Sequence, residues 1–430
     1  MKKITKYSVL VVALMCFVLS VKSGEAARVI IGGFEGCIDE CAVSSGTFSR
    51  SDTIKNSGLS SVRINPVGTA IGNCTLRAYL TTGLSAADGF SAATAYYKFA
   101  FRADTIPTST ENMFNVRGTN NSVKTKLRLN SDGTMTLINT SGVNLSTSTT
   151  ALASATWYYL ELKIGTGASA AYELKINGTA EFSGTGNLGT SNNGGAQVGK
   201  DTNLNGADVD FYYDDISVDD TAYPGDTHIL SMSPNATGTL NQWTKGVGNS
   251  NWSSIDENIR SNTDYVMSNT ALGANTVSQH EFEDTSTVGI AGTINGVNII
   301  SFASENVAGV TNAQVGIWSN LVIASTTGVN LSALSALGKL QNTDPNTGIA
   351  WTTSAIDSVQ AGFIDNASST VAIRAVWLIM NVDYTSSTGP VYQNSGTYTS
   401  GVLDASAGVY SWGALSWSQG GTGTITIKAR

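Results

Sequence analysis

The chain has 430 residues, too many for one hydrophobic core, and it carries a formal net charge of −8 with only 13% charged residues. That balance excludes strongly charged disorder and argues against a nucleic-acid binder, which needs clustered Lys and Arg. Its 45 glycines, 6 prolines and abundant Ser, Thr and Asn predict an all-β chain of short strands joined by tight turns.

Residues 1–27 read as a secretory signal peptide. Lys2, Lys3 and Lys6 form a basic start, the stretch from Ser8 to Val21 is apolar, and Gly24 and Ala26 are small. Cleavage is expected after Ala26, with Ser23 and Ala27 as alternatives. The apolar run is short of the ~20 residues that a spanning helix needs, so an uncleaved anchor is the weaker reading. The expected location is therefore exported, extracellular or at the cell surface, with no membrane span after cleavage. Beyond Cys16 in the leader, three cysteines remain: Cys37, Cys41 and Cys74. Export favours one disulfide and leaves one thiol over. Cys74 lies in a different expected strand, and its partner is open between Cys37 and Cys41. With no nearby His, zinc is disfavoured.

Residues 28–224 alternate at period two. Val62 and Ile64 are in phase, with Leu59 out of phase. Tyr97, Phe99 and Phe101 alternate, as do Thr125, Leu127 and Leu129. The latter run turns at Ser131-Asp132-Gly133 into Met135 and Leu137. Leu160, Leu162 and Ile164 follow, and then Tyr172, Leu174 and Ile176 meet Asn177-Gly178, a strong hairpin signal. The unit closes on the stretch from Phe211 to Asp220. Strict alternation puts Tyr212, Asp214, Ile216 and Val218 on one face and Phe211, Tyr213, Asp215 and Ser217 on the other. Asp214 is then the inward carboxylate, and Asp215 faces outward with Tyr213. Half-buried strands without helices predict two packed antiparallel sheets.

Several segments occur in a telling order: Gly33-Phe34-Glu35, the run from Gly58 to Ile64, Asn130-Ser-Asp-Gly, Trp157-Tyr-Tyr-Leu, Leu174-Lys-Ile-Asn-Gly and Tyr213-Asp-Asp-Ile. In that order the chain resembles concanavalin A-like jelly-roll domains of the laminin-G and lectin/glucanase type. It is also similar to carbohydrate-binding modules that begin Gly-Phe-Glu and end in an Asp-Asp strand. The resemblance implies a jelly-roll β-sandwich and leaves activity open. It also implies a structural calcium held by Glu35 with Asp214 or Asp215. A carboxylate tied by backbone amides or by Arg63 is the competing reading.

A second β-sandwich domain is expected over 225–386, marked by Trp243, Trp252, Trp351 and a run from Val371 to Met380 that is largely apolar on both faces, as in a central strand. This unit resembles β-domains of phage virion or tail-fibre proteins and of bacterial surface proteins. Residues 387–430 read as the start of a third, incomplete β domain.

For chemistry the sequence is sparse. Its two histidines, His228 and His280, lie in no zinc-hydrolase spacing, and His280 reads as an ordinary strand or loop residue. Glu281-Phe-Glu-Asp has the wrong spacing for a glycanase pair. Glu161, Lys163, Glu173 and Lys175 read as cross-strand charge pairs. Trp157 and Tyr159 could line a sugar groove, with a core Trp157 as the alternative. Lys124, Lys126 and Arg128 share one outward face, either a solvated edge or a strip for a polyanion. The resulting expectation is a tandem β-sandwich protein that binds glycans or surface glycoconjugates without catalysis, as in adhesion. A structural virion-fibre or appendage component is the alternative, and a glycoside hydrolase the third reading.

Overall fold

The computed structural model describes residues 28–35, 41–45, 48–64, 73–76, 90–199, 209–246, 250–258, 260–331, 333–367 and 371–387, with backbone alone for 41–45, 48 and 73–76. The expected leader, and all of the expected third unit except residue 387, lie outside these residues.

The described chain is nearly all strand, in antiparallel sheets stacked as β-sandwiches. In the first sandwich one sheet runs, edge to edge, Thr179–Gly186, Ala170–Ile176, Tyr158–Ile164, Ala95–Ala103, Phe211–Asp219, Ser61–Ile64, Phe48–Ser51, with Arg28–Gly32 also paired to Phe211–Asp219. The facing sheet runs Asn144–Thr147, Met135–Asn139, Val123–Leu129, Glu111–Gly118, Asn193–Gly199, Asn73–Leu76, Cys41–Ser45. The alternating residues of the sequence fill the space between the sheets: Tyr97, Phe99, Phe101, Leu127, Leu129, Leu160, Leu162, Leu174 and Ile176 share one core. Phe99 of one sheet stacks on Phe114 of the other at 4.5 Å, and the buried Tyr213 hydroxyl donates to the Met113 carbonyl across the gap at 2.7 Å. Each fully buried aromatic or aliphatic side chain contributes about 1.5–3 kcal/mol by leaving water. Asn177 and Gly178, with φ of 49° and 78°, close the expected hairpin in the left-handed geometry that its two-residue turn requires.

The strand Phe211–Asp219 departs from strict alternation. Phe211 and Tyr213 face the core, but so do Ile216 and Val218. Against Ala95–Ala103, Asp214 lies opposite Ala100 and Ser217 opposite Lys98, so this strand carries one extra residue there. Asp215 takes φ 49° at the bulge, and the phase flips across it. The expectation of an outward Asp215 beside an outward Tyr213 is thereby corrected, because both are fully buried.

The outer side of this sheet is covered by the residues that lead to the second sandwich. Lys98 donates its ammonium to the carbonyls of Asp215 (3.0 Å) and Thr227. Glu161 accepts from the Gly225 amide at 2.8 Å, and the Lys175 ammonium sits 3.5 Å from the centre of the Tyr223 ring. Glu161 does lie opposite Lys175, and Lys163 opposite Glu173, but this ladder works mainly as a seat for that link.

In the second sandwich, one sheet centres on the long strands Ile373–Ser386 and Gly292–Glu305, flanked by Val266–Met267, His228–Met232 and Ser335–Gln341. The other runs Pro234–Asn241, Thr276–Phe282, Gln360–Asp365, Ala313–Ser319, Val322–Ser325. Ile373–Ser386 is buried on both sides, as its two apolar faces predict. Leu378, Met380 and Val382 enter the main core, while Val376, Trp377 and Ile379 form an outer cluster with Ile300. Residues 252–257 cover that cluster, and the Trp377 indole donates to the Glu257 carbonyl at 2.7 Å.

A buried seam joins the sandwiches. The Arg28 guanidinium donates to Asp219 of the first (2.8 Å) and to Asp383 of the second (2.7 Å), and all three side chains are at most 2% exposed. The Asn298 and Asn342 amides donate to the carbonyls of Ile31 and Arg28, each at 3.1 Å. Burial works against the Arg28 charge, but Asp383 and then Asp219 hold its pKa above the usual value.

Candidate functional site

The acidic residues expected from the sequence meet at the bulge of Phe211–Asp219, between its pairings with Ser61–Ile64 and Arg28–Gly32, beside residues 54–60. Phe34, at φ 57°, turns the chain so that Glu35 enters the interior. One Glu35 carboxylate oxygen accepts from the Leu59 amide and, at 2.9 Å, from the Ser60 amide. Gly58, at φ 60°, lies against that carboxylate so closely that a Cβ would fall 1.6 Å from Oε1. Asp214 Oδ2 accepts from the amides of Asn56 (2.8 Å) and Ser57 (3.2 Å). Asp215 accepts from the Ser57 hydroxyl (2.6 Å), the Asn56 side-chain amide (2.7 Å) and the Ile229 amide (2.7 Å).

The electrostatics of the two aspartates are opposed. Burial, reinforced by the charges of Asp215 and Glu35, pushes Asp214 well above the ordinary carboxylate range. Asp215 is equally buried, yet Lys98 and the nearby His228 hold it down to about 2. The groups that meet these carboxylates are N–H and O–H donors, and Arg63 pairs instead with Asp210 at 2.6 Å. Among the described residues, no group of three or more His, Cys, Asp or Glu side chains is placed to hold a metal. The residues present thus fit a hydrogen-bonded clasp, in which a calcium ion would have to displace amide donors.

Trp157 and Tyr159 are half-buried at the start of Tyr158–Ile164. Tyr159 packs on the Asn177-Gly178 turn: its amide donates to the Asn177 side chain at 3.0 Å, and its hydroxyl lies over Gly178. Burial, with the nearby Asp226 and Glu161, pushes that hydroxyl's pKa up. Tyr159 therefore stands on the side seated against the link. Cys41 and Cys74 lie on the mutually paired strands Cys41–Ser45 and Asn73–Leu76. Their side chains, and all of Cys37, lie outside the described residues.

The basic strip separates into two parts. A register shift lets Lys124 turn into the end of the sandwich, where its ammonium donates to Thr166 (2.9 Å) and Asn193 (3.1 Å), and burial pulls its pKa down to about 8. Lys126 and Arg128 stay on the outer face, opposite Leu127 and Leu129 in the core. Their cross-strand partners build two polar rows. In one, Gln197, Asn115 and Lys126 lie side by side on successive strands. In the other, Asn112, Arg128, Thr136 and Thr147 do the same. The rows are internally bonded. Gln197 Oε1 accepts from Asn115 (3.0 Å) and Arg117 (2.9 Å), Arg128 donates to Asn112 (2.9 Å), and the Thr136 and Thr147 hydroxyls are 2.9 Å apart. Asn112, Asn115 and Gln197 are buried, so the groups this face leaves accessible are the partly exposed Arg117, Lys126 and Arg128 and the exposed Thr147, with both guanidiniums held in place by the buried amides. Alternation alone does not single out Asn115, Gln197 and Arg117, because their meeting beside Lys126 depends on strand order. The available signal was the polar phase of Glu111–Gly118 and Asn193–Gly199.

No family of known proteins matches this chain, and no curated protein does. Among solved structures it is similar to an endo-β-1,4-glucuronan lyase from the fungus Trichoderma reesei, with 12% identity, a TM-score of 0.34, and 45% of this chain covering 95% of that one. It is also similar to the cellulose-induced protein Cip1, with 16% identity, a TM-score of 0.35 and coverage of 46% and 99%. A conserved carbohydrate esterase of the Shiga toxin-encoding bacteriophage phi24B gives 12%, 0.34, and 46% and 100%. These are β-sandwich carbohydrate-active proteins, and at such identities the likeness concerns the fold. Two of the three are enzymes, which overturns the expectation of a chain without catalysis.

Proposed function

We propose that this is a carbohydrate-binding β-sandwich protein whose ligand face is the outer side of the sheet that holds Glu111–Gly118, Val123–Leu129 and Asn193–Gly199. The observation that carries this reading is the set of partly exposed cations Lys126, Arg128 and Arg117 on one outer face, two of them fixed by hydrogen bonds to the buried Asn112 and Gln197. A guanidinium held in place matches a carboxylate in two-pronged geometry. The favoured ligand is therefore an acidic polysaccharide. Export to the outside of the cell belongs to the same proposal. Among the described residues, no helix is long and apolar enough to cross a membrane.

The test is retention of the full chain on alginate and pectate at low salt, against neutral dextran, with the polysaccharide's length followed in parallel to detect cleavage. Arg128→Ala with Lys126→Ala should weaken retention at least tenfold, and added salt should weaken it for the wild type. Equal retention on dextran, or none on any acidic polymer, would sink this reading. A rigid structural role is the second reading, favoured by the buried seam at Arg28. It would stand if no polysaccharide were retained.

A further inference from the structure

We propose that the second sandwich carries a separate site for a neutral oligosaccharide, built on Trp318. The site lies on the outer face of the sheet that contains Thr276–Phe282, Gln360–Asp365 and Ala313–Ser319. The inward residues of these strands, Phe282, Ala361, Phe363, Val315 and Ile317, belong to the core. Their alternates point the other way. Across the strands, Glu281, Gln360, Trp318 and Ile323 form one row, and Gln279, Gly362, Gly316 and Ser325 form the next.

The two central positions of the second row are glycines, so the sheet surface there is bare backbone. The Trp318 indole leans over that floor. A Cβ on Gly316 would lie 3.3 Å from its Cη2 atom and 3.3 Å from Ile323 Cδ1, close enough that the ring would have to shift. An indole laid over a side-chain-free floor is a platform of the kind on which the apolar face of a pyranose stacks.

The polar groups beside the platform are held in place. Gln360 accepts from the Thr239 amide at 2.9 Å and donates to the Thr239 hydroxyl at 3.1 Å. Gln279 accepts from the Leu240 amide at 2.8 Å. Their amides are therefore positioned by main chain before any ligand arrives, which lowers the ordering cost of binding. Together with Asn320 and Ser358, these residues line an open cleft of about 350 Å³. That lies within the usual ~300–1,000 Å³ of small-ligand sites.

Two features define the ligand class. The lining holds no charged side chain, only Trp, Leu, Gln, Asn, Thr and Ser, which suits a neutral sugar. A neighbouring cleft of about 280 Å³ shares Ser358 and Asn320 and continues along Thr347 and Asn346; its charged lining residue, Asp344, is buried and accepts from both of these. Two adjoining clefts with common walls suit a chain of sugar rings better than one ring.

The experiment is isothermal titration of the full chain with hexasaccharides of glucose (β-1,4 and α-1,4), mannose and xylose. At least one should bind. Trp318→Ala should weaken that binding at least tenfold, Trp318→Phe should keep most of it, and Gln279→Ala should weaken it several-fold. Arg128→Ala should leave it unchanged, and Trp318→Ala should leave retention on acidic polysaccharide unchanged, so this site and the one on the first sandwich fail separately. Trp318 is half-buried, and an unaltered melting midpoint certifies the fold of its variants. The proposal is overturned if none of the hexasaccharides binds or if Trp318→Ala binds as well as the wild type. It is also overturned if Leu321→Glu converts an associated chain to monomer, since the cleft would then be an interface between copies.

Discussion

The two sandwiches follow one plan inside and opposite plans outside. Both fill the gap between their sheets with alternating aliphatic and aromatic side chains. Outside, the first sandwich spends its sequence on charged and amide side chains, among them Lys126, Arg128, Glu161 and Lys98. The second covers one sheet with the apolar group Val376, Trp377 and Ile379 and leaves the other bare at Gly316 and Gly362. Their buried ionisable groups differ as well. Asp215 keeps its charge because Lys98 and His228 are close, whereas His280, fully buried beside Ser278, is kept neutral, with burial pulling it down to about 3. Ionic burial persists where a partner is near, and otherwise the group gives up its charge.

This contrast can be broken most forcefully at the seam. Arg28→Met leaves Asp219 and Asp383 buried without their cation and should cost about 3–5 kcal/mol. Chemical denaturation should then resolve two transitions where the wild type shows one; a single unshifted transition would show that the seam does not couple the sandwiches. Next in size is the acid response of the second sandwich. The folded pKa of His280 is depressed, so its contribution to stability is complete above the unfolded value near 6.5 and is lost as pH falls toward about 3. The slope should be about 1.4 kcal/mol per pH unit within that window, and His280→Gln should flatten it in melts followed from pH 7 to 4. Asp215 is depressed in the same sense, but its window opens only below the unfolded value of ~3.9; Asp214, whose pKa is raised, should instead make the first sandwich lose stability as pH rises above ~3.9, the opposite slope to that of His280. The smallest effect tests the clasp. Gly58→Ala must adopt a left-handed backbone and push on Glu35, and should lower stability by about 2 kcal/mol, read as a melting shift of the first sandwich.

How much of this was visible in the sequence follows from the reach of each signal. Period-two alternation is local, so Tyr97, Phe99 and Phe101, and the Asn177-Gly178 hairpin, stand where the sequence predicts. Insertion of one residue is invisible to alternation until a partner strand is known. That is why alternation alone places Asp215 and Tyr213 outward and groups Lys124 with Lys126 and Arg128. His280 read as an ordinary strand or loop residue, because its burial depends on neighbours distant in the chain. The candidate sites were least legible. Gln197 meets Asn115, and Gly362 meets Gly316, only once strand order is fixed.

The Arg28 seam has a further consequence. Because buried ion pairs and hydrogen bonds to main-chain carbonyls connect the sandwiches, their outward faces are held at a set spacing and angle. A glycan that engages both would find its second contact at an effective concentration fixed by geometry, with little linker entropy to lose. Avidity would then rise steeply for polymers whose repeat matches that spacing and vanish for those that cannot reach, so the protein would act as a ruler for polysaccharide length.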